Sequence, residues 1–143
     1  MSIALEWEQA SVVFDEFQEL FDAHYLEIYG KGRKVERDVF TNLEHADMLL
    51  FLVARDDGKA VGYYVMSVSF SVYIPSRVEA KELAIYVSPE YRKQGITTAM
   101  QDVMDKALKV KGVSDVYVSY PYESTIPTNR GYKMKEVTYM RTI

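Results

Sequence analysis

Lys81-Glu82-Leu83-Ala84-Ile85-Tyr86-Val87-Ser88-Pro89-Glu90-Tyr91-Arg92-Lys93-Gln94-Gly95-Ile96-Thr97-Thr98-Ala99-Met100 is the stretch that decides the fold. Val78–Val87 is rich in branched and aromatic residues and predicts a strand. Ser88–Gln94 is a short polar, basic loop, and Gly95 opens a helix that runs to Lys111 before Gly112 stops it. Within that helix Ile96, Ala99, Met100, Val103, Met104, Ala107 and Leu108 recur at three- and four-residue spacing, which makes one apolar stripe. Met100 and Met104 are core residues on this reading. The first amides of a helix lack internal partners, and its aligned peptide dipoles leave positive potential there. A strand, a basic loop and a glycine-led helix start therefore make a place for a diphosphate. Arg92 and Lys93 would supply charge, Thr97 and Thr98 hydroxyls, and Gly95 a close backbone approach.

Outward from this unit, Ile3, Leu5 and Trp7 alternate with polar neighbours as a first strand. Val13, Phe17, Leu20, His24 and Ile28 place one face of a helix over Ala10–Tyr29, ending at Gly30. A shorter helix over Val35–Leu43 would turn Val35, Val39, Phe40 and Leu43 inward. Met48–Arg55 and Ala60–Tyr73, joined by Asp56-Asp57-Gly58-Lys59, read as an antiparallel hairpin. After Gly112, Val113–Ser119 is a strand, Tyr120–Arg130 a loop with a helical turn, and Lys133–Ile143 a last strand. The order β-α-α-β-β-β-α-β-(short α)-β predicts an α/β (α+β) fold, a mixed, mostly antiparallel sheet flanked by helices. The whole of residues 1–143 is expected to form one domain.

No cysteine is present, so thiolate metal sites and a covalent Cys intermediate are excluded, and no metal is expected. No apolar run is long enough to span a bilayer, and no secretory signal is seen, so a cytoplasmic setting is expected. Residues 1–50 carry 11 acidic and 4 basic side chains, whereas residues 51–143 carry 10 and 13. An acidic half suits a cationic substrate and a mildly basic half an anionic cofactor. Net charge of −4 and the lack of a basic stripe argue against a nucleic-acid partner.

The segment Val87-Ser88-Pro89-Glu90-Tyr91-Arg92 with Gly95 resembles the acyl-CoA motif of the GNAT superfamily of N-acetyltransferases, [Q/R]-x-x-G-x-[G/A], with Thr97 where a small residue is usual. Gly131-Tyr132 resembles the closing Gly-Phe of that family, and His24-Tyr25-Leu26-Glu27-Ile28 resembles small phage-encoded members. The resemblance implies acetyl-CoA as co-substrate and an amine as acceptor, a small molecule or a protein amine. It further implies that Val78–Val87 splays from Val113–Ser119. Pantetheine would then pair with the main chain of Ile85, Tyr86 and Val87, and Arg92, Lys93, Gln94, Gly95, Ile96, Thr97 and Thr98 would surround the diphosphate. An amide near Tyr86 or Val87 would polarise the thioester carbonyl.

Removing a proton from the amine calls for a base. Glu82 and Glu79 lie on the strand leading to the cofactor loop. Strict alternation sets Glu82, Ala84 and Tyr86 on one face and Glu79, Leu83, Ile85 and Val87 on the other, so one glutamate faces the acceptor unless a bulge intervenes; Glu82 is nearer the thioester and is preferred. His24 and Glu27 form a second candidate pair, three residues apart on one helix. Counting back from Gly131, the family's tyrosine acid falls on Pro127, and its upstream asparagine near Tyr120. That leaves the proton donor to Tyr120, Tyr122 or Tyr132, or to water. The departure keeps open a second reading, a non-catalytic acyl-CoA-binding module working through protein contacts. Either a monomer or a homodimer is compatible with the sequence.

Overall fold

The computed structural model describes residues 2–30, 35–120, 129–134 and 141–143. Five strands, β1 (Ile3–Trp7), β2 (Leu49–Asp56), β3 (Lys59–Phe70), β4 (Val78–Val87) and β5 (Val113–Tyr117), form one sheet in chain order. The first four are antiparallel, and β5 lies parallel to β4. A parallel neighbour cannot be reached by a tight turn. The crossover is α3 (Ile96–Val110), which covers one face of the sheet, while α1 (Ala10–Tyr29) and α2 (Arg37–His45) cover the other.

Under α1 the core is aromatic. Phe14, Phe17, Phe21, Phe40, Phe51 and Tyr63 are all buried, with Phe21 edge-on to Tyr63 at 4.9 Å between ring centres. Burial of each such ring stabilises the fold by about 1.5–3 kcal/mol before conformational entropy is counted. Helix α1 matches the expected bounds, but its buried seam is Ala10, Phe14, Phe17 and Phe21. Val13 and Leu20 flank that seam, and Ile28 is 59% exposed, because the last turn overhangs a cleft that Ile28 lines. In α2 only Phe40 is buried, wedged between Phe14 and Phe21, and Val39 points outward. On the other face Ile96, Met100, Met104 and Leu108 pack on Leu52, Ala54, Tyr64 and Met66. There the α3 stripe buries Gln101 and leaves Ala99 exposed.

The β2–β3 hairpin closes on Asp57 and Gly58, both at positive φ (48° and 86°), the backbone that a two-residue turn between twisted strands requires. Behind it Arg55 bonds both carboxylate oxygens of Glu8 at 2.8 Å, pairs with Glu16, and donates to the Gly58 carbonyl at 2.9 Å. Its side chain is 12% exposed. Arg55→Ala would leave Glu8 and Glu16 without their counter-ion, at an expected cost of about 2–3 kcal/mol. Those same bonds hold the Glu16 carboxyl below its ordinary range. Its stabilisation is thus present above the unfolded carboxylate pKa and is lost as pH falls through the lower folded value. Thermal melts from neutral to acid pH should show a lower melting point and a shallower acid loss in Arg55→Ala; unchanged melts would remove the network from the account.

Strand β3 ends at Phe70, short of the expected Tyr73, because the Ser71 hydroxyl accepts the amides of Tyr73 and Ile74 and turns the chain. Strand β5 ends at Tyr117, short of Ser119. The expected last strand over 133–143 and the loop with a helical turn over 120–130 lie mostly outside the described residues.

Candidate active site

Strand β4 builds the site through two irregularities. Val65 pairs with Ala84 but Met66 pairs with Glu82, so Leu83 is an extra residue, a β-bulge. The bulge overturns the alternation expected from sequence. Ala80 and Glu82 face α3 together with Ile85 and Val87, whereas Ala84 and Tyr86 face α1. The second irregularity is the partner strand. β5 pairs with β4 only from Val78 to Lys81, so beyond that point no strand among the described residues lies beside the outer edge of β4.

Which main-chain groups face that open edge follows from register. The Ser88 amide donates to Val61, and the Tyr86 carbonyl points at Gly62. Peptide groups alternate sides along a strand, so Ile85 and Val87 present theirs to the open edge and Tyr86 does not. Tyr86 therefore contributes its ring to the site, and the expected main-chain contact falls to its two neighbours.

The edge runs into the loop before α3. Gly95 is the residue before the first turn, at φ 81°, with no side-chain cap on the helix; the first internal bond runs from the Ala99 amide to the Gly95 carbonyl. The amides of Ile96, Thr97 and Thr98 are therefore free of helical partners. A Cβ on Gly95 would meet no protein atom within 4 Å, so its glycine is required by backbone angle rather than by close packing. Lys93 also sits at positive φ (62°). Val87, Arg92, Lys93, Gly95, Ile96, Thr97 and Thr98 line a hollow of about 190 Å³. Gln94 instead turns its side chain to the Glu90 carbonyl at 3.3 Å. Free amides, left-handed backbone and a lysine are a donor set suited to a diphosphate.

A larger cleft, about 480 Å³, adjoins it and is lined by His24, Glu27, Ile85, Tyr86, Arg92 and Thr97 among others. His24 stacks on Tyr86 at 4.8 Å, and its Nδ1 lies 2.6 Å from the Tyr63 hydroxyl. Burial pushes the His24 pKa down, so the ring is neutral near pH 7. Glu27 is bidentate to Arg92, at 2.7 and 3.0 Å, and these bonds hold its carboxyl below the usual range. Arg92 also donates through Nε to the Val87 carbonyl at 2.8 Å and lies over the Tyr86 ring.

Glu82 is half-buried where β4 and β5 part, and it receives the Tyr64 hydroxyl at 2.7 Å. Burial raises its pKa above the ordinary glutamate value. It does not line the cleft, although Tyr120, which does, has its own pKa raised by burial and by the Glu82 charge. Glu79 occupies the opposite face of β4, before the bulge. Tyr122 lies outside the described residues. Gln101, Asn129 and Arg130 also line the cleft. Gln101 stands one residue past Met100, off the apolar stripe read from the sequence, where a polar residue gives no signal; Asn129 and Arg130 likewise carry no local pattern to mark them.

The sequence model of the Acetyltransferase (GNAT) family matches residues 14–130. That match spans most of the chain, and the protein belongs to the GNAT acetyltransferase family, a class of acyltransferase enzymes that generally use acetyl-CoA. No curated protein sequence matches the chain. Among solved structures, the fold is similar to an aminoglycoside acetyltransferase from an uncultured soil metagenomic sample in complex with sisomicin (TM-score 0.78, 16% identity, 99% of this chain and 96% of that one). It is similar also to a ribosomal-protein-alanine N-acetyltransferase from Brucella melitensis biovar Abortus (0.75, 16%, 100% of each chain). A third is glucosamine-6-phosphate N-acetyltransferase from Arabidopsis thaliana (0.75, 11%, 99% of each chain). At such identities the likeness concerns the fold.

Proposed function

We propose that this chain transfers the acetyl group of acetyl-CoA to a primary amine by direct attack, with both substrates bound together. The observation that carries the reading is the open edge of β4, which runs from the bulge at Leu83 straight to the free amides after Gly95. An extended pantetheine fits such an edge as an added strand would, through Ile85 and Val87. Its diphosphate would meet the amides of Ile96–Thr98 and the charge of Lys93. The co-substrate supplies a thioester, and the rest of the chemistry falls to this chain's own groups.

Glu82 is the favoured base. Desolvation raises its proton affinity, and it stands where the two strands separate. Glu27, held anionic by Arg92, is a weaker base, and together with neutral His24 it lines the acceptor wall. The Val87 amide, facing the open edge, is placed to polarise the thioester carbonyl. Tyr120 stays protonated and lines the cleft, which makes it the donor to the departing thiolate. A carboxylate in the cleft and the acidic first third of the sequence favour a cationic acceptor: a polyamine, an aminoglycoside-like amine, a metabolite amine or a protein amine. The proposal includes a cytoplasmic protein that works as a monomer or homodimer.

Release of free thiol from acetyl-CoA in the presence of pooled amines tests the reading. Acceptor-dependent release supports it, and saturable CoA binding without release would favour the binding-module alternative. Gly95→Glu places a carboxylate in the anion hollow and forces an L-residue to φ 81°. It is expected to abolish measurable CoA binding in calorimetry while the far-UV spectrum stays that of a folded chain. Undiminished affinity would move the diphosphate elsewhere.

A further inference from the structure

Arg92, the motif's cation beside the diphosphate hollow, does not project freely into it. Both terminal nitrogens are taken by Glu27, at 3.0 and 2.7 Å, and Nε is taken by the Val87 carbonyl. Glu27 comes from α1, 65 residues earlier, so the pair bridges the cleft from the acceptor wall to the cofactor loop. Both side chains are between a third and a half exposed, and the only charge facing the guanidinium at hydrogen-bond distance among the described residues is this carboxylate.

We infer that the Glu27–Arg92 pair is a latch between the two substrate sites: Glu27 competes with the anionic co-substrate for Arg92. When Arg92 turns to a diphosphate in the adjoining hollow, Glu27 loses its counter-ion and is left facing the cleft as a carboxylate for a cationic amine. This rests on the acetyltransfer reading and adds an order to it. The co-substrate's phosphates unlock the acceptor subsite, and by thermodynamic reciprocity a cation held by Glu27 tightens binding of the co-substrate. Arg92 needs no large movement, since it already lines both the hollow and the cleft. The latch also predicts an effect opposite to that of an ordinary supporting contact. Removing the acid should improve binding of the anion.

Calorimetric titration of CoA into wild type, Glu27→Gln, Arg92→Gln and the double variant tests this. Glu27→Gln is expected to bind CoA about fivefold more tightly, the size of one exposed ion pair. Arg92→Gln is expected to bind more weakly than wild type, and adding Glu27→Gln to it should bring no further gain. A non-additive cycle of that sign is the signature of competition for one guanidinium. An equal gain from Glu27→Gln in both backgrounds would mean simple through-space repulsion. Unchanged or weaker binding in Glu27→Gln would make Glu27 a support for Arg92. Either result overturns the latch and leaves the acetyltransfer reading standing, whereas absence of CoA binding in wild type removes both.

Discussion

Glu82→Gln is expected to lower turnover by about a hundredfold, within the range for loss of a general base, and to leave CoA affinity unchanged. The same substitution should raise the melting temperature at neutral pH. Glu82 is half-buried beside Tyr64, and burial raises its folded pKa above the unfolded one. Between those two values the folded state binds more protons than the unfolded state, so stability falls as pH rises through the window. At neutral pH, above the unfolded value, keeping this carboxyl buried is a cost to the fold, which Gln removes while its amide oxygen still accepts the Tyr64 hydroxyl. The stability gain should therefore fade in acid, where wild-type Glu82 is already protonated. Turnover should lose the acidic limb of its pH profile. Wild-type turnover in Glu82→Gln would pass the role of base to His24, whose ring is neutral and lines the cleft.

Gly62→Ala is expected to be the most damaging single-methyl change in the sheet. A Cβ at Gly62 would stand 2.8 Å from the Tyr86 carbonyl oxygen and 3.3 Å from a Val87 methyl. Two hydrogen-bonded strands cannot yield there without parting, at an expected cost of about 1–3 kcal/mol. Displacement would fall on the stretch of β4 that presents Ile85 and Val87 to the open edge, so CoA affinity should drop about tenfold or more, in keeping with the sensitivity of such sites to small misplacements. Chemical denaturation and CoA titration of this variant check both effects. Normal stability with normal CoA binding would show that the close approach at Gly62 sets neither.

Those two positions also mark how far the chain could be read before its structure. Gly95 was legible, because a helix stripe begins immediately after it and a basic loop precedes it; the structure adds a second reason for glycine there, its backbone angle. Gly62 sits inside a Val- and Tyr-rich strand with no local sign, since what forbids a side chain there is a carbonyl 24 positions later. Glu82 was named from its nearness to the loop, but its face was misassigned. An extra residue at Leu83 reverses alternation, and nothing in Glu82-Leu83-Ala84 announces a bulge.

Local periodicity was enough for Ala10–Tyr29, for Val78–Val87 and for the helix after Gly95, because each buries a face whose spacing repeats within a few residues. From these follow the layered fold and the corner where the proposed diphosphate site lies. Tertiary structure alone decided which β4 peptides face the open edge, that Arg92 is already held by Glu27, and that Tyr120 comes within reach of the Glu82 charge. Each depends on groups brought together from distant segments, where register and charge pairing, not local pattern, determine what meets what.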